Sequence, residues 1–391
     1  MRTSMEGVTM RYAKSSFNGE RLRAARQFRG MTIGEVAKEI GVTTQSVSQF
    51  EHNKTEPKVE NLFRIVNLLG FPREYFYEED ESDITVGNTY FRSLSTTTAK
   101  NRKMQIEKVK LLAKIYEGIE EYITFPEFNI GVNNLLDVEE LAHYVRQHWQ
   151  LGDQPILNII DVMEQHGIII ANSFDSNNDI DAYCHVEMIN NCVVPIVVLG
   201  NDRNYFRQQF SAAHELGHVL TDGLFEVEEL TKLEYKNMEQ YMNQFAGALL
   251  VPKNMFLNDL AGRGKTEFRF YVELKEKYRV SAAALIVRAK QLGAISMNQY
   301  QYLMKQRSND GYIKEEPYDK QVAACEPRYL KHAMKMLIED RKITGSEFMR
   351  VLQKHGLSIN SDMVEELLGL DEGYLDKFSN PGKVLLFEKE V

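Results

Sequence analysis

Two histidines four residues apart with a glutamate beside the first, His214-Glu215-Leu216-Gly217-His218, are the residues of this chain whose spacing names a chemistry. On an α-helix positions i and i+4 lie nearly above one another. His214 and His218 can therefore share one cation while Glu215, a step round the helix, reaches an adjacent water. Downstream, Glu239 falls on one stripe with Met242, Ala246 and Leu249, an apolar face on which a carboxylate is costly unless it is paired or bound to a cation. Two imidazoles, one carboxylate and an open position make the arrangement of a hydrolytic zinc, and no fourth thiol or imidazole is spaced to close it. The pattern points to Zn²⁺ held by His214, His218 and Glu239, with Glu215 as general base and Asn243, one turn beyond Glu239, placed to orient a ligating imidazole. The residues alone also admit a core helix with two satisfied histidines, and a first-turn glutamate favoured by the helix dipole.

The elements that must position these groups are legible around them. Phe206, Phe210, Ala213, Gly217 and Leu220 recur at steps of four and three, so the motif sits on a helix packed against a core. Gly217 costs that helix stability, which implies a close backbone approach. Met238 to Leu250 forms a second helix carrying Glu239 and Asn243. Upstream the period shortens: residues 167–171, Ala182 to Met188 and Val193 to Leu199 are β-branched and apolar, with Asn190-Asn191 at a turn, which predicts a small antiparallel sheet. A peptide added to such a sheet edge would present its carbonyl to the metal. Tyr183, His185, Tyr235 and Tyr241 are candidate oxyanion donors, each with packing as the plainer alternative. Further on, Leu274 to Gly293 is helical with Ser281 as a cap, Asn309 to Pro317 has linker composition, and Tyr329 to Phe378 carries amphipathic helices of open role.

A second constellation lies near the start. Thr32 and Glu35 make a capping box, Gly41 suits a helix end, and Thr43 can cap the next helix, giving helix, short turn, helix. Thr43, Thr44, Gln45, Ser46, Ser48 and Gln49 would line the start and exposed face of the second helix, where a recognition helix meets base edges, with Val47 and Phe50 facing the core. The first 77 residues carry 12 Lys/Arg and 8 Asp/Glu, a surplus of +4, which leaves −13 for the remainder of a −9 chain. A mildly basic head on an acidic body fits a duplex-contacting module with separate work behind it.

Both constellations carry family resemblances. Phe210-Ser211-Ala212-Ala213-His214-Glu215-Leu216-Gly217-His218, followed by Glu239, Met242-Asn243, Phe245-Ala246, Leu249-Leu250 and Pro252, resembles the ImmA/IrrE zinc metallopeptidases. The likeness implies the same ligands and base, and a repressor-like protein as substrate. Two positions depart from it: Met242 stands where a small residue is usual, and Thr221-Asp222-Gly223 replaces a histidine often found there. Residues 17–77, including Glu56-Pro57 and Leu68 to Phe76, resemble the XRE-type helix-turn-helix of phage repressors, which implies a double-stranded DNA operator. A docking module of the same shape that no longer touches DNA is the alternative.

At 391 residues and 43% hydrophobic content the chain has room for two or three domains. The expected class is α+β and mainly helical: a five-helix DNA-binding domain over 1–80, a helical linker over 81–128, a zincin-like peptidase domain over 129–308 and a helical C-terminal region over 309–391. An acidic run, Glu78 to Asp83, marks the first boundary. After Tyr90-Phe91-Arg92-Ser93 a long helix from Lys100 to Tyr122 carries Val109, Leu112, Ile115, Tyr116 and Ile119 on one stripe, a joint between modules or the seam of a homodimer reading two half-sites. Three cysteines without C-x-x-C spacing, no signal-peptide layout and no apolar run of membrane length predict a cytoplasmic protein with free thiols and no membrane partner. The functional expectation is a DNA-binding regulator with a zinc endopeptidase. Two other readings stay open: a transcription factor whose zinc domain senses a ligand or partner, and an antitoxin-like binding protein.

Overall fold

The computed structural model describes residues 16–79, 89–91, 99–173, 182–190, 192–200, 204–225, 229–261 and 264–377. In chain order its elements are α1 (Gly19–Phe28), α2 (Ile33–Ile40), α3 (Thr44–Glu51), α4 (Val59–Leu69), a 3-10 turn (Arg73–Tyr77), β1 (Thr89–Phe91), α5 (Ala99–Glu120), α6 (Val138–His148), α7 (Ile159–Gln165), β2 (Ile169–Asn172), β3 (Ala182–Ile189), β4 (Cys192–Leu199), α8 (Tyr205–Leu220), α9 (Lys232–Leu250), α10 (Lys253–Leu260), α11 (Phe268–Tyr278), α12 (Ala282–Gln291), α13 (Met297–Asn309), α14 (Tyr329–Glu339), α15 (Gly345–Lys354), α16 (Ser361–Leu368) and α17 (Tyr374–Lys377). The chain is mainly helical with one small sheet, as expected. Among the described residues no helix is long and apolar enough to cross a membrane. The chain divides into two compact units.

The first unit contains α1 to α4, the 3-10 turn, α5 as far as Gly118, and α15 to α17. Its N-terminal helices are set by local chemistry. Asn18 caps α1, the Thr32/Glu35 box opens α2, Gly41 at φ 73° closes it, and Thr43 accepts from the Ser46 N–H to start α3. Four α-helices and a 3-10 turn thus stand where five helices were expected. Leu22, Ala25, Val36, Ile40, Val47, Phe50, Ile65 and Leu69 form the shared core. A Cβ on Gly19 would run into the backbone of Phe50 and Glu51, so α1 begins hard against the end of α3. Arg26 grips Glu51 with two bonds of 2.5 and 3.0 Å and fixes the same junction.

Residues beyond 340 belong to this first unit. Arg21 donates to the Gly356 carbonyl at 2.9 Å, the Ser358 N–H donates to the Glu78 carboxylate at 3.1 Å, and Asn360 Nδ2 donates to the Gly70 carbonyl at 3.0 Å. Of the expected acidic boundary, Glu78 is thus engaged and the Glu79 carbonyl accepts from Arg21 at 3.3 Å; residues 80–83 and Arg92-Ser93 lie outside the described residues. The α5 stripe of Val109, Leu112, Ile115, Tyr116 and Ile119 is buried within the chain, which removes it as a free dimer seam.

The second unit holds the sheet and α6 to α14. Strand order is β1-β3-β4-β2. The hairpin β3/β4 closes with Ile189 opposite Cys192 and Asn190 at φ 49°. β3/β4 is antiparallel as expected; β1, a strand that the sequence pattern did not indicate, adds antiparallel to β3, and β2 pairs parallel with β4. The hairpin puts β4 between β3 and β2, and β2 enters the sheet alongside β4 in the same direction. Cys184 and Val197 of the sheet share one apolar core with Ala212, Ala213 and Leu216 of α8 and with Met242, Phe245 and Leu249 of α9.

The stretch expected as a linker, Asn309 to Pro317, ends in a pinned strap. Glu316 accepts from the Ala282 and Ala283 N–H groups at 2.8 and 3.1 Å, capping α12, and from Lys275 at 3.2 Å. Asp319 also accepts from Lys275, a side chain with no exposure. Asn309, Asp310, Lys314 and Glu315 are exposed, as polar composition suits, whereas Glu316 and, two residues past the stretch, Asp319 are buried counter-charges to Lys275.

One buried acid gives this unit a pH dependence. Burial pushes the Glu164 carboxyl up from 4.5 to about 7, against the opposing pull of the Tyr329 and Arg328 N–H donors. Oε1 accepts both, at 3.1 and 2.9 Å, whereas Oε2 is buried without a hydrogen-bond partner. The folded chain therefore binds a proton that the unfolded chain has lost: the contribution to stability is full below 4.5 and disappears as pH rises through about 7. Glu164→Gln keeps an acceptor for both N–H groups and cannot ionise. Urea unfolding at pH 5 and pH 8 should show the variant losing about 1–2 kcal/mol less than wild type across that interval. Equal losses would rule the assignment out.

Candidate metal centre

The structure brings His214, His218 and Glu239 together. Their ligand atoms all lie within 4.8 Å of one another. The two Nε2 atoms are 3.2 Å apart, and those of His214 and His218 lie 3.3 Å from Oε2 and Oε1 of Glu239, respectively. Zinc bonds of about 2.0–2.1 Å at tetrahedral angles would separate ligand atoms by about 3.3 Å. The donor set and its spacing therefore fit one small divalent ion. Both imidazoles are fully buried, and Glu239 comes from the facing helix. Burial would lift the Glu239 carboxyl, but hydrogen bonds and charge from His214 and His218 overcome it and bring the group down to about 2.

The surroundings hold this geometry. α9 opens with a Thr231/Glu234 capping box, and at its other end Arg146 donates to the Leu249 carbonyl at 2.8 Å and Arg288 to that of Val251 at 3.2 Å. Burial takes the Arg146 guanidinium down to about 10. Thr221, in the segment that departs from the family pattern, returns its hydroxyl to the Gly217 carbonyl at 2.9 Å and ends α8. Gly217 itself is the close approach between α8 and α9: a Cβ there would lie 2.9 Å from the Phe245 ring and 3.0 Å from Met242 Sδ. Met242, the other departure, thus fills space that Gly217 leaves. Gly217→Ala should cost about 1–2 kcal/mol, overpacking outweighing the gain in helix propensity. A melting temperature above wild type would contradict this.

Glu215 is fully buried beside the triad. The Cys184 thiol on β3 meets it; burial first and then the charge of Glu215 hold that thiol well above its ordinary range. His185, next along the strand, faces away and binds Glu187 at 2.6 Å, as the alternation of a strand requires. Of the four oxyanion candidates, Tyr183 is fully buried and Tyr241 donates to the Leu136 carbonyl at 2.7 Å. Tyr235 is the one at the centre: burial, then the charge of Glu239 and a hydrogen bond to it, push the phenol far above its usual range. It lies one turn before Glu239 on α9, and its hydrogen bond is to that carboxylate. Asn243 does not reach an imidazole. Its Nδ2 donates to the Glu239 carbonyl at 2.7 Å, steadying the ligand's own helical turn. The i+4 spacing made that contact available to sequence reasoning, which favoured the imidazole instead.

In the first unit α3 presents the expected polar face. Thr43, Thr44 and Gln45 are exposed, Ser46, Ser48 and Gln49 half-buried, while Val47 and Phe50 are in the core. The Thr43 hydroxyl lies 2.9 Å from that of Ser46 and also caps α3, so these two groups shape the helix start as well as facing outward. Arg64, which sequence reasoning passed over, donates to the Ile40 carbonyl at 2.8 Å and fixes the end of α2 against the turn.

Comparisons with known proteins agree with this division. Residues 163–290 match the IrrE N-terminal-like domain, and residues 22–76 match the helix-turn-helix family. Over 56 residues the chain is 34% identical to a protein of Pyrobaculum aerophilum whose name describes an HTH-type transcriptional regulatory protein. That stretch is 14% of this chain and 22% of the relative, so the chain spans under a quarter of the curated relative it matches. The chain therefore joins an XRE-type helix-turn-helix domain to a peptidase-family domain of the IrrE/ImmA kind.

Proposed function

We propose that the protein is a DNA-binding regulator carrying a zinc-dependent endopeptidase that cleaves a repressor-like protein and so releases an operator under stress or mobile-element induction. The observation that carries the peptidase reading is the 3.2–3.3 Å triangle of His214, His218 and Glu239 with Glu215 buried beside it. His214, His218 and Glu239 would hold the ion. Zinc bound there would supply a Lewis acid that polarises a peptide carbonyl and acidifies water. Glu215 takes the proton of the attacking water on a carboxylate oxygen and delivers it to the leaving amine nitrogen. Cys184 and the core behind it keep that carboxylate in a dry wall, where its orientation is fixed. Tyr235 holds Glu239 from the turn before, and Asn243 ties down the same turn from the other side.

The DNA reading rests on α3. Its outward polar side chains would enter a major groove, with a homodimer supplying two readers for two half-sites, in the cytoplasm where operator DNA is available. Gln49→Ala is expected to weaken specific operator binding by about 1–3 kcal/mol and leave non-specific binding unchanged. Fluorescence anisotropy on operators selected from genomic DNA measures both; equal loss on every duplex would remove Gln49 from base recognition. The peptidase reading is tested by incubating zinc-loaded protein with helix-turn-helix repressors encoded beside its gene. A single new cut, absent after chelation, is the expected result; intact repressors together with intact operator binding would leave the regulator without the protease.

A further inference from the structure

A cavity of about 460 Å³ lies between α8, α9 and α12. Along α8 its wall residues Arg207, Phe210 and Ser211 precede His214 by one to two turns; along α9 its wall residues Asn243 and Gly247 follow Glu239 by one and two turns. The two helices are therefore antiparallel, and the cavity lies along the same faces of α8 and α9 that carry the triad, at helical steps of three and four from it. Asn243 joins the two directly, lining the cavity while bonded to the Glu239 carbonyl.

Small residues make the space. Phe210, Gly247, Ala283, Ala284 and Val287 make the apolar part of its wall and Ser211, Asn243, Ser281 and Gln291 the uncharged polar part, and a Cβ on Gly247 would meet Arg288 Cδ and Gln291 Oε1 at 3.7 and 3.8 Å, ordinary contact distances. Its charged wall residues among those described are both cationic: Arg207, which donates to the Lys314 carbonyl at 2.7 Å, and Arg288, held by Glu139 at 2.5 and 2.8 Å. One helical turn advances about 5.4 Å, and an extended peptide about 3.3 Å per residue. The cavity therefore begins about two residues from a bond lying at the triad.

We propose that this cavity is the specificity pocket of the peptidase: it takes a large apolar side chain, leucine, methionine or phenylalanine, about two residues from the bond to be cut, and rejects lysine and arginine. The apolar walls favour burial of such a side chain. Arg288 is compensated by Glu139, so it is Arg207, bonded to a carbonyl, that chiefly opposes a further cation, and no acid among the described wall residues attracts one. This inference rests on the peptidase reading above, and its test separates the two.

Two measurements on the full chain are needed. In the first, blocked tripeptides with leucine, phenylalanine, lysine or glycine at the centre are titrated into alanine- and valine-labelled protein. The Ala283, Ala284 and Val287 methyl signals should move with leucine and phenylalanine and stay still with lysine and glycine. Ala284→Phe fills the pocket and should abolish the movement of the remaining methyls; Val287→Trp does so from the next turn and serves where the first variant fails to fold. In the second, zinc-loaded wild type and variants digest a mixed peptide library. Filling the pocket should reduce the preference for large apolar residues at the fixed position by about 10–100-fold. Methyl signals unmoved by every tripeptide, or an unchanged preference in a folded variant, would overturn the proposal. Pocket binding without cleavage of any library peptide would overturn the peptidase reading and leave a binding pocket for apolar side chains.

Discussion

Glu215→Gln is expected to lower kcat for repressor cleavage by about 10²–10⁴-fold while the protein keeps its full complement of zinc. The amide is the same shape as the carboxylate and can still accept from the Cys184 thiol, so the core around α8 has no reason to rearrange. It cannot take a proton from water at neutral pH. Because Glu215 is outside the His214, His218 and Glu239 triangle, its loss separates proton transfer from ion binding. Metal analysis beside a cleavage assay makes the comparison. Cleavage at the wild-type rate would take the general-base role from Glu215, and loss of zinc would make it a ligand.

The second large effect concerns the triangle itself. His214→Ala and Glu239→Ala should each abolish stoichiometric zinc binding, because either leaves two ligands where three are needed. An ion held by the triangle would also link α8 to α9, so its removal should be visible in stability. A ligand present at 1,000 times its dissociation constant stabilises the folded state by about 4 kcal/mol. Chelation should therefore lower the melting temperature of wild type and leave both variants unmoved. Zinc retained in both, or a wild-type melting temperature indifferent to chelator, would end the metal assignment. Glu239→Ala carries a further consequence: it leaves His214 and His218 facing each other at 3.2 Å without their carboxylate, so the variant should fall below chelated wild type.

How far the sequence disclosed this site follows from the range of the interactions involved. His214, Glu215 and His218 are neighbours on one helical turn, so their geometry is set by helix pitch alone. Glu239 needed one further step, an acid on the apolar stripe of the next helix, and an antiparallel α8/α9 pair is what such an order of elements readily forms. The cavity was not legible, since its third wall comes from α12 and space left by Gly247, Ala283 and Ala284 has no periodic signature. Nor was the parallel partner of β2. Periodicity assigns a strand without naming its neighbour. The burial of Glu316 at the end of the Asn309 to Pro317 stretch was not legible, because it pairs with Lys275 from far away in sequence and composition cannot distinguish a buried acid from a solvated one.

The same limit applied to the C-terminal helices. Their apolar stripes were visible, but what covered them was not, and contacts such as Arg21 to Gly356 span nearly the whole chain. The order of synthesis gives this arrangement a kinetic meaning. Everything between Gly118 and Asp340, some 220 residues, is translated before the last helices of the DNA-reading unit exist. At about 5–20 residues per second, that is a wait of roughly 10–45 s. The second unit can begin to fold on the ribosome while the first still lacks part of its own wall. Under the function proposed above, hydrolytic competence would thus precede operator recognition in the life of each molecule.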